Sequence, residues 1–173
     1  MAPRIITLVR HGQAQHNAGN HQLHDPLLTP LGETQCYGLS KKFPSEPPVD
    51  LLVSSLLKRA IQTALFAFKK QAESGVKVKL LTELQEASGK PCNIVSSRDE
   101  LEKEELFRGL DFSGLPDDRT SKVLYLLPPS FSGSALALTA VRKGSGLQTL
   151  IPLWNVPEPS VSGSSPDRKT MLL

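Results

Sequence analysis

Apolar positions along the chain fall into short runs separated by polar, turn-rich stretches, and the period of the runs changes from strand-like to helical and back. Residues 5–9, Ile-Ile-Thr-Leu-Val, form a continuous run rich in β-branched types, the pattern of a strand buried on both faces at the centre of a parallel sheet. Residues 13–28 hold Asn17, Gly19, Asn20, Asp25 and Pro26 and read as a loop. Thr29-Pro30 is a helix start, with a capping hydroxyl and a proline suited to the first helical position. Leu31, Gln35, Leu39 and Lys42 carry that helix to Phe43-Pro44. Residues 50–53 give a second buried strand that ends at Ser54-Ser55. Residues 57–73 predict one long helix, with Ala60, Ile61, Ala64, Leu65 and Phe68 on one face, Gln62 elsewhere, and Gly75 closing it. Residues 77–81 alternate as a third strand. Strands joined through helices imply right-handed crossovers, so the expected fold class is α/β, a three-layer α/β/α arrangement on a mainly parallel sheet.

The patterning weakens beyond Ser88-Gly89. Residues 96–108 have the Glu/Lys spacing of a solvated helix, 111–119 read as a loop, and 123–127 as a short strand. From Pro128 a weakly apolar stretch runs to Trp154, and residues 156–169, rich in Pro, Ser and Gly, read as disordered. The organisation expected is one α/β domain over 1–127, a weakly patterned segment over 128–155 and a disordered tail over 156–173. A chain of 173 residues can bury one good core, though 14 prolines are many for a compact α/β domain.

Charge and cysteines narrow the classes further. The net charge of +3 lies entirely beyond residue 120: residues 1–120 hold 15 basic and 15 acidic groups, and residues 121–173 five against two. No dense basic patch points to nucleic acid, and Lys41-Lys42 and Lys69-Lys70 suit solvated helix faces. Cys36 and Cys92 lack metal or disulfide spacing and read as free thiols of a reducing compartment. No segment has the length or apolarity of a signal peptide or a membrane helix, so a cytoplasmic protein is expected. His16, His21 and His24 lie in the loop without a recognised metal-ligand pattern, so no metal is expected.

The first strand ends in Arg10-His11-Gly12, at the edge where open α/β sheets bind ligands. A guanidinium offers forked donors for phosphate, an imidazole can act as nucleophile or proton carrier, and glycine allows close backbone approach. Arg59 starts the helix after the second strand, where backbone donors and the helix dipole also favour anions. Four pieces follow one another: Val9-Arg10-His11-Gly12 with Asn17; Leu28-Thr29-Pro30-Leu31-Gly32; residues 54–64, Ser-Ser-Leu-Leu-Lys-Arg-Ala-Ile-Gln-Thr-Ala; and Leu84-Gln85-Glu86. Together they resemble the signature of the histidine phosphatase superfamily, the phosphoglycerate-mutase-like proteins. Weaker echoes run to about Asp118.

The resemblance implies a phosphomonoester hydrolase. His11 is the nucleophile that becomes phosphohistidine, and Arg10, Asn17 and Arg59 hold the phosphate. Glu86 protonates the leaving group, with Glu83 as its competitor. The reaction requires no cofactor, and the partner is a small phosphorylated substrate or inorganic phosphate, with no nucleic acid or membrane. Thr29-Pro30, Ser54-Ser55 and Pro91-Cys92 are explained as caps and turns.

The family also places a second catalytic histidine on a late strand, whereas all four histidines here lie at or before position 24. Losing one preorganised electrostatic group costs about 10²–10³ in rate. The same departure leads one to expect that the last core strand and its helix are missing, as in a truncated or misspliced form, with an edge of the sheet exposed. Turnover therefore competes with a second expectation, a non-catalytic phosphate-binding protein or a form without activity. Phosphatase is preferred over mutase because no long insertion encloses a sugar phosphate. Substrate identity and oligomeric state stay open.

Overall fold

A computed structural model describes residues 4–82, 84, 88–115, 138–143 and 147–151, with side chains described between residues 6 and 115. The predicted strand at 123–127, the tail over 156–169, and Glu83 and Glu86 lie outside the described residues. Among the described residues five strands form one sheet: β1 (Arg4–Val9), β2 (Val49–Ser55), β3 (Val78–Leu81), β4 (Leu138–Lys143) and β5 (Leu147–Ile151), in the order β3-β2-β4-β1-β5. β1 is parallel to β5 and β2 to β3, while β4 runs antiparallel to both β1 and β2. Four strands therefore point one way, and the fold is α/β with a mainly parallel sheet.

The weakly apolar stretch after Pro128 supplies two strands, and one of them fills the centre of the sheet between β2 and β1. Local pattern gave no sign of this, because a strand paired on both sides is specified by its neighbours' hydrogen bonds as much as by its own alternation.

Helix α1 (Pro30–Lys42) starts as expected: Thr29 Oγ1 accepts from Gly32 N at 3.1 Å, and Pro30 takes the first helical position. Its buried face is Gly32, Cys36 and Leu39, continued by Phe43, and Leu31 is 37% exposed. The rotation away from Leu31 has a steric cause. A Cβ on Gly32 would stand 2.1 Å from the carbonyl oxygen of Gln13, so only glycine lets the helix meet the loop after β1 there.

The single helix predicted for 57–73 is two, α2 (Lys58–Ala67) and α3 (Lys69–Glu73). The break falls at Phe68, whose φ of −118° and ψ of 26° leave the helical region. Its ring is fully buried and meets Phe43 edge-on at 4.8 Å between centroids. Tertiary burial of one aromatic thus overrides a continuous helical pattern.

Two apolar clusters flank α2. One joins Val9, Leu28, Cys36, Leu39, Val49, Leu52, Ala64 and Phe68; the other joins Leu56 and Ile61 to Leu101, Phe107 and Phe112. Leu101 lies in α4 (Arg98–Lys103), which opens with a reciprocal capping box between Ser97 and Glu100. The charge-dense segment read as a solvated helix is thus a covering layer that inserts Leu101 and Phe107 into the core. Among the described residues no helix is long and apolar enough to cross a membrane.

Candidate active site

β1 delivers Arg10, His11 and Gly12 directly to a loop, residues 10–28, that is stitched to α2 by side chains one helical turn apart. Gly12 N donates to Thr63 Oγ1 at 3.1 Å, and that hydroxyl donates onward to the carbonyl of Arg59 at 2.8 Å. Leu28 N donates to Gln62 Oε1 at 2.6 Å. Arg59, Gln62 and Thr63 stand at i, i+3 and i+4, so one face of α2 is a buried polar surface turned toward the loop. Gln62, which the apolar pattern set apart from the buried face, is part of it. On the other side Gln13 N donates to Gln35 Oε1 at 2.9 Å, and Gly12 sits where a Cβ would be 2.6 Å from the Gly32 carbonyl oxygen.

His11 is 6% exposed, and its Nδ1 lies 2.7 Å from the carbonyl oxygen of Gly12. A carbonyl only accepts, so Nδ1 carries the proton and Nε2 keeps its lone pair. Burial, and then the charge of Arg59, push the His11 pKa down to about 3, with Arg10 and His16 adding to the effect and the bond to Gly12 opposing it. The ring is therefore a neutral imidazole with an unprotonated Nε2 across the whole physiological range, the state a nitrogen nucleophile requires.

Arg59 is fully buried, and its charge acts on His11, His16 and Asp25 alike. Its Nη1 donates to the Cys92 carbonyl at 2.6 Å and its Nη2 to Asn93 Oδ1 at 2.9 Å, in the 3₁₀ turn Pro91–Asn93. Pro91-Cys92 is thus a structural turn, as its sequence suggested, with the added task of fixing a guanidinium. Arg10 is half-buried at the end of β1, and its charge also reaches His11 and His16. Ser54 and Ser55 are the buried last residues of β2: Ser54 Oγ donates to the Ser55 carbonyl at 2.9 Å.

Asn17 is exposed and turned into its own loop, accepting from Ala14 N at 2.9 Å and contacting His16 Nε2 at 3.1 Å. His16 is buried, while His21 and His24 are exposed. Glu86 and Glu83 lie outside the described residues, so the structure places His11, Arg10, Arg59 and the Asn17 loop together and leaves the acid unplaced.

Sequence reasoning missed Asp25. It is 2% exposed at a φ of 39°, and its two carboxylate oxygens accept from Lys58 N at 2.9 Å and Ser96 N at 2.8 Å. It therefore caps α2 from outside that helix, whose own preceding residue, Leu57, offers no side-chain acceptor. Burial raises the Asp25 pKa against the opposing pull of those two amides and Arg59. The only sequence signal was Asp-Pro, which reads equally well as a plain turn. Cys36 lies beside Gly12 and Thr63, and burial pushes its thiol up to about 12, so it is packing rather than a nucleophile.

A neutral, desolvated imidazole nitrogen beside two guanidinium charges suits attack on, or capture of, a tetrahedral oxyanion. Several solved structures resemble the chain. A mycobacterial glucosyl-3-phosphoglycerate phosphatase, solved with VO3, is 33% identical over 49% of this chain and 41% of its own length, with a TM-score of 0.40. A phosphoglycerate mutase from Bacillus anthracis is 25% identical over 49% and 38%, with a TM-score of 0.42. A phosphoserine phosphatase from Entamoeba histolytica, in complex with 3-phosphoglyceric acid, is 24% identical over 50% and 41%, with a TM-score of 0.38. The chain thus spans about two-fifths of the length of these proteins. No curated protein matches it. The family model of the histidine phosphatase superfamily, branch 1, matches residues 6–122, and the chain belongs to that superfamily.

Proposed function

We propose that this chain is a phosphomonoester hydrolase that works through a phosphohistidine on His11. The observation that carries the reading is the tautomer: Nδ1–H is spent on the Gly12 carbonyl, so the lone pair is on Nε2 of a buried ring that feels the charges of Arg59 and Arg10. In the first step the Nε2 pair forms a bond to phosphorus as the ester P–O bond breaks, and an acid protonates the departing alcohol oxygen. Water then displaces the imidazole from phosphorus and releases inorganic phosphate. Arg10 and Arg59 offset the oxyanion charge, Asn17 holds the loop, and Glu86 is the proposed acid. Substrates are small phosphate esters, and no cofactor takes part. Two buried free thiols suit a reducing compartment such as the cytoplasm.

Hydrolysis of a chromogenic phosphate ester by wild type and His11→Ala tests this. Wild type is expected to turn over, and the variant to fall to background. Equal rates for the two remove the enzyme assignment. A second reading, a phosphate-binding protein without turnover, is favoured by the confinement of every histidine to positions 11–24. It predicts thermal stabilisation by vanadate, following mass action, in a protein that hydrolyses nothing.

A further inference from the structure

His16 is the buried imidazole that the proposed reaction leaves unused. It is 7% exposed, and its ring centroid lies 5.8 Å from that of His11 at an interplanar angle of 54°. Burial first, then the charges of Arg59, His21 and Arg10, lower its pKa to about 4, so it shares the electrostatic neighbourhood of His11 and is neutral there.

Its tautomer follows from its neighbours. Asn17 Oδ1 accepts the Ala14 N–H at 2.9 Å, which orients the amide. The NH₂ group must then be the donor to His16 Nε2 at 3.1 Å. A ring nitrogen that accepts carries no proton, so the neutral ring holds its proton on Nδ1. That Nδ1 is buried and meets no hydrogen-bond partner among the described residues. A buried donor without an acceptor is rare and demands an explanation. A missing acceptor in a place charged by two guanidinium groups is most simply an oxygen of an anion.

We propose that His16 is a phosphate-binding residue of this site, donating Nδ1–H to an oxygen of the phosphate held beside His11, Arg10 and Arg59. The proposal rests on the phosphate-site reading above. Being neutral, the donor adds direction to anion binding without further positive charge, and Asn17 becomes a positioning residue that sets the His16 tautomer. In a chain whose histidines all precede position 25, the second imidazole of the site comes from the same loop as the first.

The test uses the full chain, vanadate as ligand, and three substitutions. Asn places an amide N–H near the position of Nδ1, Gln near that of Nε2, and Phe keeps the ring shape with no donor. His16→Phe and His16→Gln are expected to raise the vanadate Kd roughly ten- to hundredfold, the worth of one hydrogen bond to a charged acceptor. His16→Asn should stay within about threefold of wild type. Nitrogen-15 NMR of the wild-type imidazoles should show the His16 Nδ1–H resonance shifting as vanadate is added. That last measurement decides the matter even where a variant fails to fold, since an unmoved resonance in a vanadate-bound wild type overturns the proposal. Equal affinities for all four proteins, or equal losses in Asn, Gln and Phe, overturn it while leaving the phosphate site standing. A wild type that binds no vanadate overturns both.

Discussion

Residues 10–28 and residues 96–112 are both laid against α2, and they are held there by different means. The first is held by single polar bonds, Gly12 N to Thr63, Leu28 N to Gln62 and Lys58 N to Asp25, and Asp25 also accepts from Ser96 N at the edge of the second. The second is held by apolar volume, Leu101, Phe107 and Phe112 packed on Leu56 and Ile61, with ion pairs confined to its surface. The contrast separates precision from bulk. A buried polar bond fixes a group in one orientation, and removing one partner strands the other. An apolar cluster gives stability in proportion to the area it hides and tolerates repacking. The proposed chemistry sits on the precise segment.

The sharpest test falls on Arg59, the buried charge felt by His11, His16 and Asp25. Arg59→Met strands the Cys92 carbonyl and Asn93 Oδ1 and leaves Asp25 without its nearby cation, so a stability loss of about 3–5 kcal/mol is expected in urea unfolding. Vanadate binding should vanish with it. A loss below about 1 kcal/mol would show that the buried network contributes little.

Phe107→Ala attacks the apolar segment alone. It should cost about 3 kcal/mol, near the lower end for truncating a buried aromatic, while the vanadate affinity of the folded fraction is unchanged. A tenfold weaker affinity would mean that the two segments are coupled, through α2 or through the Ser96–Asp25 bond.

Acid should distinguish them next. The lowered pKa values of His11 and His16 mean that the unfolded chain takes up protons which the folded chain refuses between pH 6.5 and about 3–4. Stability present above pH 6.5 is thus lost progressively as pH falls through that window. The raised pKa of Asp25 works the other way, since its folded form favours the proton. His11→Asn should flatten the decline, measured as the urea midpoint between pH 7 and 4, and Phe107→Ala should leave its slope alone. Parallel slopes for His11→Asn and wild type would contradict the burial of a neutral ring.

The smallest effect belongs to the Lys58–Glu104 pair, 2.9 Å apart and partly exposed. Glu104→Gln should cost under about 1 kcal/mol and fade in high salt. A larger loss would make charge, rather than Leu101 and Phe107, the attachment of the covering layer.

Legibility in the sequence tracked the same division. The capping hydroxyl of Thr29, the strands at the chain start and at 49–55, and the Arg10-His11-Gly12 tip are local patterns, and the structure repeats them. Phe68, Leu101 and Phe107 misled the reading because a side chain's burial depends on what covers it. Asp25 and Gln62 were invisible as site supports for a sharper reason: their partners are backbone amides 71 and 34 residues away. A single sequence carries no trace of such pairs.

By itself the sequence determined which residues stand at the end of the opening strand and the start of the following helix, because alternation, helical period and capping act over a few neighbours. Only the tertiary structure decided that Arg59 is buried and gripped by the 91–93 turn, and that β4 enters the middle of the sheet. It also decided that His11 keeps its lone pair on Nε2 within reach of the Arg59 charge. Those outcomes depend on burial and on groups brought together from distant parts of the chain, and neither exists until the chain has folded.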